Sequence, residues 1–203
     1  MILTDRYSEA LTYAERLHRA QTRKGTDVPY VAHLLAVCAT VLEWGGDEDT
    51  AIAALLHDAV EDQGGLDTLA VIEDRFGPRV AGIVSACTDS VATDRAEKAP
   101  WLERKRAHLA KLSRATSEVA LVTAADKLHN AQATIRNIRH RGLGTLSRFN
   151  ASPEQMLWYF ARVCQVLKEH RATAPIEELE QEVATLARLL GRPVPELDVS
   201  SEP

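Results

Sequence analysis

Apolar and polar residues alternate with helical spacing along most of the chain. Pro29 occupies a position typical of a first helical turn, and an apolar stripe at i, i+3 and i+4 follows until the glycine pair Gly45-Gly46 ends it. Apolar spacing, N-cap residues and glycine or proline stops predict further helices in the same way. These helices run from 47–49 to the glycines at 64–65, over 66–76, 78–88, 101–115 and 117–139, from 152 onward, and over 176–190. Residues 88–100 lack a sustained apolar period and predict a loop, and no strand pattern occurs, so the sequence predicts an all-α fold.

The composition predicts one soluble domain. The 203 residues are 45% hydrophobic, enough for a sizeable core, and neither a repeat nor a low-complexity segment divides them. Charged side chains such as Asp5, Arg6 and Glu9 interrupt the N-terminal residues, so we expect no signal peptide, no membrane span and a cytoplasmic location. We therefore expect a single domain over 1–203 with a C-terminal helix at 176–190 and a short tail at 191–203.

Charge and cysteine content argue against several classes of function. The formal net charge is −5, so we expect no general attraction to nucleic acid or to an anionic membrane. An anionic substrate must then be held by local basic residues. The three cysteines are odd in number, far apart and without a CxxC pair, which argues against a disulfide framework or a thiolate zinc site.

The stretch AALLHDAVEDQGG, residues 53–65, places a histidine and three carboxylates directly after apolar residues. In a helix, His57, Asp58, Glu61 and Asp62 fall within an arc of roughly 140°. A solvated surface stripe is the plain alternative. Residues 51–56, however, are apolar all round, which is typical of a helix that enters a core, and carboxylates carried inward need a compensating positive charge.

Two more polar residues lie in apolar helical surroundings. His33 stands between Val31 and Leu34, and Asp126 follows the apolar run VALVTAA. Taken alone, His33 could be a satisfied core histidine, and Asp126 could form a buried ion pair with Lys127 or an arginine. Together with the His57-Asp58 pair they form a nitrogen and oxygen ligand set, which suits a divalent cation such as manganese, iron or zinc.

Four strings in this order resemble the HD-domain metal-dependent phosphohydrolases: QTRKGTDVPYVAHLLAV, ALLHDAVED, LERKRAHL and AADKLHN. Within that family they are similar to the hydrolase domain of RelA/SpoT proteins, especially its small single-domain members. The resemblance covers about residues 10–170. It implies a helical bundle around one divalent metal ion held by His33, His57, Asp58 and Asp126. It also implies removal of the 3′-pyrophosphate from the alarmones ppGpp and pppGpp, commonly with Mn²⁺, with Fe²⁺, Co²⁺ or Zn²⁺ as other candidates.

Glu61 and Asp62 lie one helical turn beyond the His57-Asp58 pair and are not needed as ligands. They are therefore candidates for orienting or deprotonating the attacking water, and the resemblance implies that role. The alternative is ordinary charge at a helix C-terminus. Acidic groups there oppose the helix dipole at a cost of about 0.3–1 kcal/mol each, which disfavours that interpretation.

Several further residues are candidate substrate contacts. The resemblance implies that Arg23 and Lys24 hold the nucleotide base, although a lone basic pair is often solvated surface. Asn130 lies four residues after Asp126 and thus on the same helical face, where it can bond a ribose or phosphate. Lys127 adds positive charge but points about 100° away from Asp126.

The aromatic residues at the site leave two questions open. Tyr159 matches an aromatic residue that packs against substrate in the resembling family, but its apolar helix could equally place it in the core. Trp101 departs from the family, whose members carry a basic residue before LERKR. This departure puts in doubt how the 5′-phosphates are held, with Lys98, Arg104 and Lys105 as possible substitutes.

Two other functions stay open at the level of sequence. The same metal centre could remove phosphate from another nucleotide, such as NADPH or a nucleoside monophosphate. The chain could also be a non-catalytic alarmone-binding regulator, although all six proposed metal and acid-base residues are present. The oligomeric state is not predicted.

Overall fold

The computed structural model of the protein describes residues 2–91, 99–169 and 175–195. Within these ranges the chain forms ten α-helices, one 3₁₀ segment and no strand, which confirms the all-α prediction. An isolated antiparallel bridge joins Thr22 and Pro29 across the turn before the second helix. The helices are α1 (Asp5–Leu17), α2 (Val31–Glu43), α3 (Glu48–Leu56), α4 (Ala59–Asp62), α5 (Gly65–Phe76), α6 (Pro78–Cys87), α7 (Trp101–Leu112), α8 (Ser117–Arg141), α9 (Pro153–Glu169) and α10 (Ile176–Leu189), with the 3₁₀ segment at Leu143–Arg148 between α8 and α9.

Side-chain caps fix the starts of α3 and α9, as the sequence indicates. Asp47 accepts a hydrogen bond from the backbone N–H of Thr50 at 3.0 Å, which caps α3. Before α9, the hydroxyl of Ser152 accepts from the N–H of Gln155 at 3.2 Å, and the Gln155 side chain accepts from the N–H of Ser152 at 2.9 Å. This reciprocal pair is a capping box, and Pro153 follows it at the first helical position.

Helix α3 lies at the centre of the core. Every residue from Thr50 to Leu56 is buried, and the helix contacts α1, α2, α6 and α8. Helices α9 and α10 pack against each other and against α8. The end of α3, where His57 and Asp58 follow, is therefore surrounded by packed helices rather than by solvent.

The helix that carries the His57-Asp58 pair is interrupted, and the prediction of one continuous helix up to the glycines at 64–65 is wrong. Helix α3 ends at Leu56, and the short α4 begins only at Ala59. The imidazole Nδ1 of His57 lies 2.8 Å from the carbonyl oxygen of Ala54. In an uninterrupted helix that carbonyl would accept from the N–H four residues on, so the side chain takes the place of a backbone donor.

Other boundaries differ from the prediction by a few residues. Helix α7 ends at Leu112 rather than at 115, and α8 extends to Arg141. Lys98 and the end of the predicted tail, 196–203, lie outside the described residues. Among the described helices, none has both the length and the apolar character needed to span a bilayer.

Candidate metal centre and adjoining cavity

The four predicted metal ligands come together from three parts of the fold. His33 lies on α2, His57 and Asp58 form the turn after α3, and Asp126 lies on α8. The Nε2 atom of His33 is 3.5 Å from Oδ2 of Asp58 and 3.3 Å from Oδ1 of Asp126. The Nε2 atom of His57 is 3.0 Å and 3.8 Å from the same two oxygens. Ligand atoms of His33, His57 and Asp58 all lie within 4.8 Å of one another.

Both imidazole rings present Nε2 to the carboxylates. His57 uses Nδ1 to donate to the Ala54 carbonyl, which only accepts, so in the neutral ring the Nε2 lone pair faces the cluster. The Nδ1 atom of His33 lies 2.7 Å from Nδ1 of His129. Both Nε2 atoms are buried, and neither makes a hydrogen bond with a described residue, although carboxylate oxygens lie nearby. Buried nitrogens without a hydrogen bond are what a bound cation would satisfy.

The two carboxylates carry negative charge at neutral pH. Burial acts to raise the pKa of Asp126, but Lys127 and the neighbouring histidines outweigh it and hold that pKa far below its usual range. The pKa of Asp58 is lowered in the same way by His57 and His33 against the effect of burial. Two carboxylates and two imidazoles in this arrangement fit a divalent cation.

The same charges act on His57. Burial opposes its protonated form, but Asp58 and Asp126 outweigh this effect and raise the pKa of His57 to about 9. Because metal ligation needs a neutral imidazole, a proton and a divalent cation compete for this position.

A second set of side chains orients these ligands. The hydroxyl of Tyr30 donates to Oδ2 of Asp58 at 2.6 Å. Asn130 lies on the same helical face as Asp126, as its four-residue spacing predicts, and donates to Oδ1 of Asp126. Lys127 leaves the helix away from Asp126, but its long side chain folds back and places Nζ 2.6 Å from Oδ2 of Asp126. The ion pair proposed for Asp126 as an alternative to metal ligation thus exists beside the cluster.

A cavity of about 620 Å³ adjoins the cluster, with His33 in its wall. Its described lining is strongly cationic, since Asp62 is the single acidic side chain there. Its aromatic side chains offer flat faces. The cationic residues are Arg23, Lys24, Lys105, Lys127, Arg136 and Arg148, and the aromatic residues are Tyr30, Trp101, Phe149, Tyr159 and Phe160. Volume, charge and flat faces suit an anionic ligand with a planar ring.

The predicted base-binding pair lies in this wall. Arg23 donates from Nη2 to Oδ1 of Asn130 at 2.6 Å, so it is linked through Asn130 to Asp126. Its guanidinium carbon lies 5.5 Å from the ring centroid of Tyr30. Lys24 is exposed at the cavity rim.

Glu61 and Asp62 lie on α4, directly after the ligand pair. Asp62 is exposed in the cavity wall and accepts from Nε2 of Gln21 at 2.8 Å. Glu61 is half-buried, with Oε1 3.8 Å from Nη1 of Arg104. Arg104 also lies 3.7 Å from Oδ2 of Asp89. Neither Glu61 nor Asp62 belongs to the described group of His33, His57 and Asp58, and their part in proton transfer stays a prediction.

The sequence left open whether Tyr159 packs in the core or faces the substrate, and the structure shows both core packing and a place in the cavity wall. It is buried, and its ring lies 6.1 Å from that of Trp101, yet it also lines the cavity. The Nζ atoms of Lys105 and Lys127 lie 4.7 Å and 5.5 Å from its ring centroid. Of the possible substitutes for a basic residue at 101, Lys105 lines the cavity and also pairs with Asp89.

Sequence reasoning missed His129, Tyr30 and Arg148. His129 is three residues after Asp126 and Tyr30 three before His33, so helical spacing could have indicated both. Arg148 carries no such signal, because its neighbours in the cavity wall come from the distant turn at 23–25.

The family profile described as HD domain matches residues 10–144. The chain belongs to the HD-domain family. The resemblance inferred from the motifs is thereby confirmed. The MESH1 guanosine-3′,5′-bis(diphosphate) 3′-pyrophosphohydrolase of Drosophila melanogaster is 36% identical to this HD-domain protein over 129 residues, which are 62% of this chain and 67% of that protein. A guanosine-3′,5′-bis(diphosphate) 3′-pyrophosphohydrolase of Aquifex aeolicus is 36% identical over 126 residues, 61% of this chain but only 17% of that longer protein.

Solved structures share the fold. A metazoan orthologue of SpoT, described as hydrolysing ppGpp, superposes with a TM-score of 0.68 at 29% identity, covering 94% of this chain and 98% of that one. The Listeria monocytogenes protein lmo0812 superposes with a TM-score of 0.64 at 24% identity, covering 77% of this chain and 99% of that one. The second match supports the helical architecture alone.

Proposed function

We propose that this HD-domain protein is a metal-dependent phosphohydrolase that removes the 3′-pyrophosphate from ppGpp and pppGpp. The observation that carries the proposal is the convergence of His33, His57, Asp58 and Asp126 beside a cationic cavity. Relatives at 36% identity are named for this activity, which supports the choice of substrate.

The four converging side chains would hold one divalent ion, for which Mn²⁺ is the first candidate and Fe²⁺, Co²⁺ and Zn²⁺ are the others. When bound, such an ion polarises a phosphoryl oxygen and lowers the pKa of the attacking water. Asn130 and Lys127 hold Asp126, Tyr30 holds Asp58, and His129 holds His33 in the orientation that this role requires.

Glu61 and Asp62 orient the attacking water and accept its proton. The water oxygen bonds to the phosphorus attached to the ribose 3′ oxygen, and the bond between that phosphorus and the 3′ oxygen breaks. The 3′ oxygen leaves with a proton, so ppGpp and water give GDP and pyrophosphate. Lys127, beside Asp126, lies where it offsets negative charge on the reacting phosphates.

The rest of the nucleotide occupies the cavity. Arg23 and Lys24 bind the base, Asn130 bonds the ribose or a phosphate next to the cluster, and Tyr159 forms an aromatic wall beside the substrate. A small nucleotide fits a cavity of this size, whereas a nucleic acid strand needs an extended basic groove. The cytoplasmic location stays a prediction.

An assay of product formation tests the proposal. Protein loaded with Mn²⁺ is incubated separately with ppGpp, pppGpp, NADPH and GMP. We expect GDP and pyrophosphate from ppGpp, GTP and pyrophosphate from pppGpp, and loss of both reactions after chelation of the metal. Release of phosphate from NADPH or GMP while ppGpp stays intact would instead support another nucleotide as substrate. Binding of ppGpp without turnover would support a regulatory module.

A further inference from the structure

Arg148 lies in the cavity wall and packs against the turn formed by residues 23–25. A Cβ placed on Gly25 would lie 2.7 Å from Cδ of Arg148, so the arginine stem lies directly on the glycine backbone. Gly25 also has a φ of +69°, a left-handed conformation that favours glycine. The close approach of Arg148 therefore depends on a glycine at position 25.

The Arg148 guanidinium has no hydrogen-bond partner among the described residues at two of its nitrogens. Nε and Nη1 are both buried and unpaired. The guanidinium carbon also lies 4.8 Å from the ring centroid of Phe149. This ring contact does not give Nε and Nη1 a hydrogen-bond acceptor. Arg148 as a whole is half-buried, but enclosed donors without an acceptor are costly, so these two nitrogens are arranged for an acceptor that comes from outside the chain.

The surrounding charge specifies what kind of acceptor fits. Burial, together with the positive charges of Arg141 and Arg23, lowers the pKa of Arg148. Arg141 places Nη1 3.4 Å from the carbonyl oxygen of Gly25. The one acidic residue in the described cavity lining, Asp62, accepts from Gln21. A neutral acceptor would satisfy hydrogen bonds here, but an anion would also relieve the repulsion among three arginines.

The segment that carries Arg148 is anchored rather than loose. Leu146 and Phe149, on either side of it, pack against the hydrophobic core. The matched HD-domain region ends at residue 144, so Arg148 lies outside the part of the chain that defines the family. It thus supplies a cation to the cavity from a position beyond that matched region, while position 101, in the same wall, carries an uncharged tryptophan.

We propose that Arg148, with the positive charge of Arg141 nearby, binds the 5′-phosphates of the nucleotide. This inference rests on the proposed function, because ppGpp and pppGpp carry 5′-phosphates in addition to the 3′-pyrophosphate that is cleaved. A planar guanidinium binds phosphate oxygens through paired N–H donors, and such charge-assisted bonds are stronger than neutral ones. The 5′ end of the substrate then points toward the 3₁₀ segment that carries Arg148.

Calorimetric titration with GDP, guanosine and ADP tests this assignment without requiring hydrolysis. GDP has the 5′-diphosphate and lacks the 3′ group, so its binding is measured whether or not the protein cleaves ppGpp. We expect the parent to bind GDP more tightly than guanosine. Arg148→Met should weaken both GDP and ADP about tenfold or more and leave guanosine unchanged. Arg139→Met, a change at an exposed arginine on α8 outside the cavity lining, should leave all three affinities unchanged.

Three results would overturn the assignment. Equal losses of affinity for GDP and guanosine would show that Arg148 has a structural role. An unchanged affinity for GDP would show that Arg148 does not contribute to binding. A loss of affinity for GDP without a loss for ADP would show that Arg148 recognises the guanine base instead. Arg148→Lys keeps the charge without the planar fork and should retain part of the GDP preference, which provides a second variant if the methionine change disturbs folding.

Discussion

At the scale of single residues, we infer that His129 orients the candidate ligand His33. Burial above all, and then the neighbouring His33 and Arg23, lower the pKa of His129 to about 3, so its ring is neutral and can accept the N–H of His33 at Nδ1. We predict that His129→Phe weakens the affinity for Mn²⁺ by about 10- to 100-fold, as loss of such supporting bonds does elsewhere. His140→Phe, at an exposed position on the same helix, is the matched control. Equal affinities in a metal titration of the two variants would remove the orienting role of His129.

Variants of Glu61 and Asp62 test whether these residues act in the chemical step rather than in binding. If they orient or deprotonate water, Glu61→Gln with Asp62→Asn keeps the metal and the nucleotide but lowers the maximal rate on ppGpp by about 10²-fold or more. The amides preserve side-chain size. The double change Glu73→Gln with Asp74→Asn, at exposed positions of α5, should leave the rate unchanged. Steady-state kinetics at saturating Mn²⁺ decide the point, and turnover at the parent rate would disprove the acid-base role.

The convergence of the four candidate ligands could be predicted from the sequence because polar side chains in apolar helices are conspicuous. His33, His57, Asp58 and Asp126 each interrupt an apolar pattern, and the structure brings all four together. Arg148 could not be predicted. Its environment depends on contact with a glycine turn more than a hundred residues earlier, and helical spacing carries no information on such contacts.

At the scale of elements, α3 is the helix whose packing supports the site. Leu55 is fully buried in it. Leu55→Ala should lower the free energy of unfolding by about 2–5 kcal/mol, because truncation leaves a cavity in a packed core. Leu66→Ala is the matched control, since Leu66 is 61% exposed on α5 and should change stability by about 0.5 kcal/mol or less. Urea unfolding of both variants with the metal chelated measures the difference. Equal losses would contradict the central place of α3.

Arg79 on α6 forms ion pairs with residues at the starts of two other helices. It lies 2.6 Å from a carboxylate oxygen of Asp47 at the start of α3, and 3.0 Å from one of Glu118 in the first turn of α8. The pKa of Glu118 is lowered to about 2, first by a backbone hydrogen bond at the helix start and then by Thr116 and Arg79.

The stability that ionised Glu118 contributes is therefore present above its ordinary pKa, near 4.5, and lost as the pH falls toward 2. We predict that the difference in unfolding free energy between the parent and Glu118→Gln is largest above pH 5 and shrinks as the pH approaches 2. Chemical denaturation at several pH values measures this difference. A difference that stays constant with pH would mean that the charge on Glu118 contributes nothing.

The helices from α2 onward followed from apolar spacing and caps, but α1 (Asp5–Leu17) was not predicted, and neither was the break at His57 and Asp58. Periodicity describes backbone propensity, whereas this break comes with a side-chain donor that takes the Ala54 carbonyl. A pattern of apolar positions does not distinguish a continuous helix from one that a single imidazole interrupts.

At the scale of the whole molecule, three segments distant in sequence meet at one centre because α2, α3 and α8 pack against one another. The HD-domain match ends at 144, and α9 and α10 extend the bundle by packing on α8. Tyr159 reaches the cavity from α9, so the part beyond the family match contributes to the wall of the site. The single-domain boundaries at 1–203 stay a prediction.

The metal content of purified variants tests the central claim most directly. The parent, His57→Ala, Asp126→Ala and the control His140→Ala are prepared with Mn²⁺, freed of excess ion and analysed for bound metal, with helical content checked by circular dichroism. The arrangement of the four ligands predicts one ion per chain in the parent and the control, and far less in the two ligand variants although they remain folded. Full metal occupancy in both ligand variants would contradict the assignment of the centre.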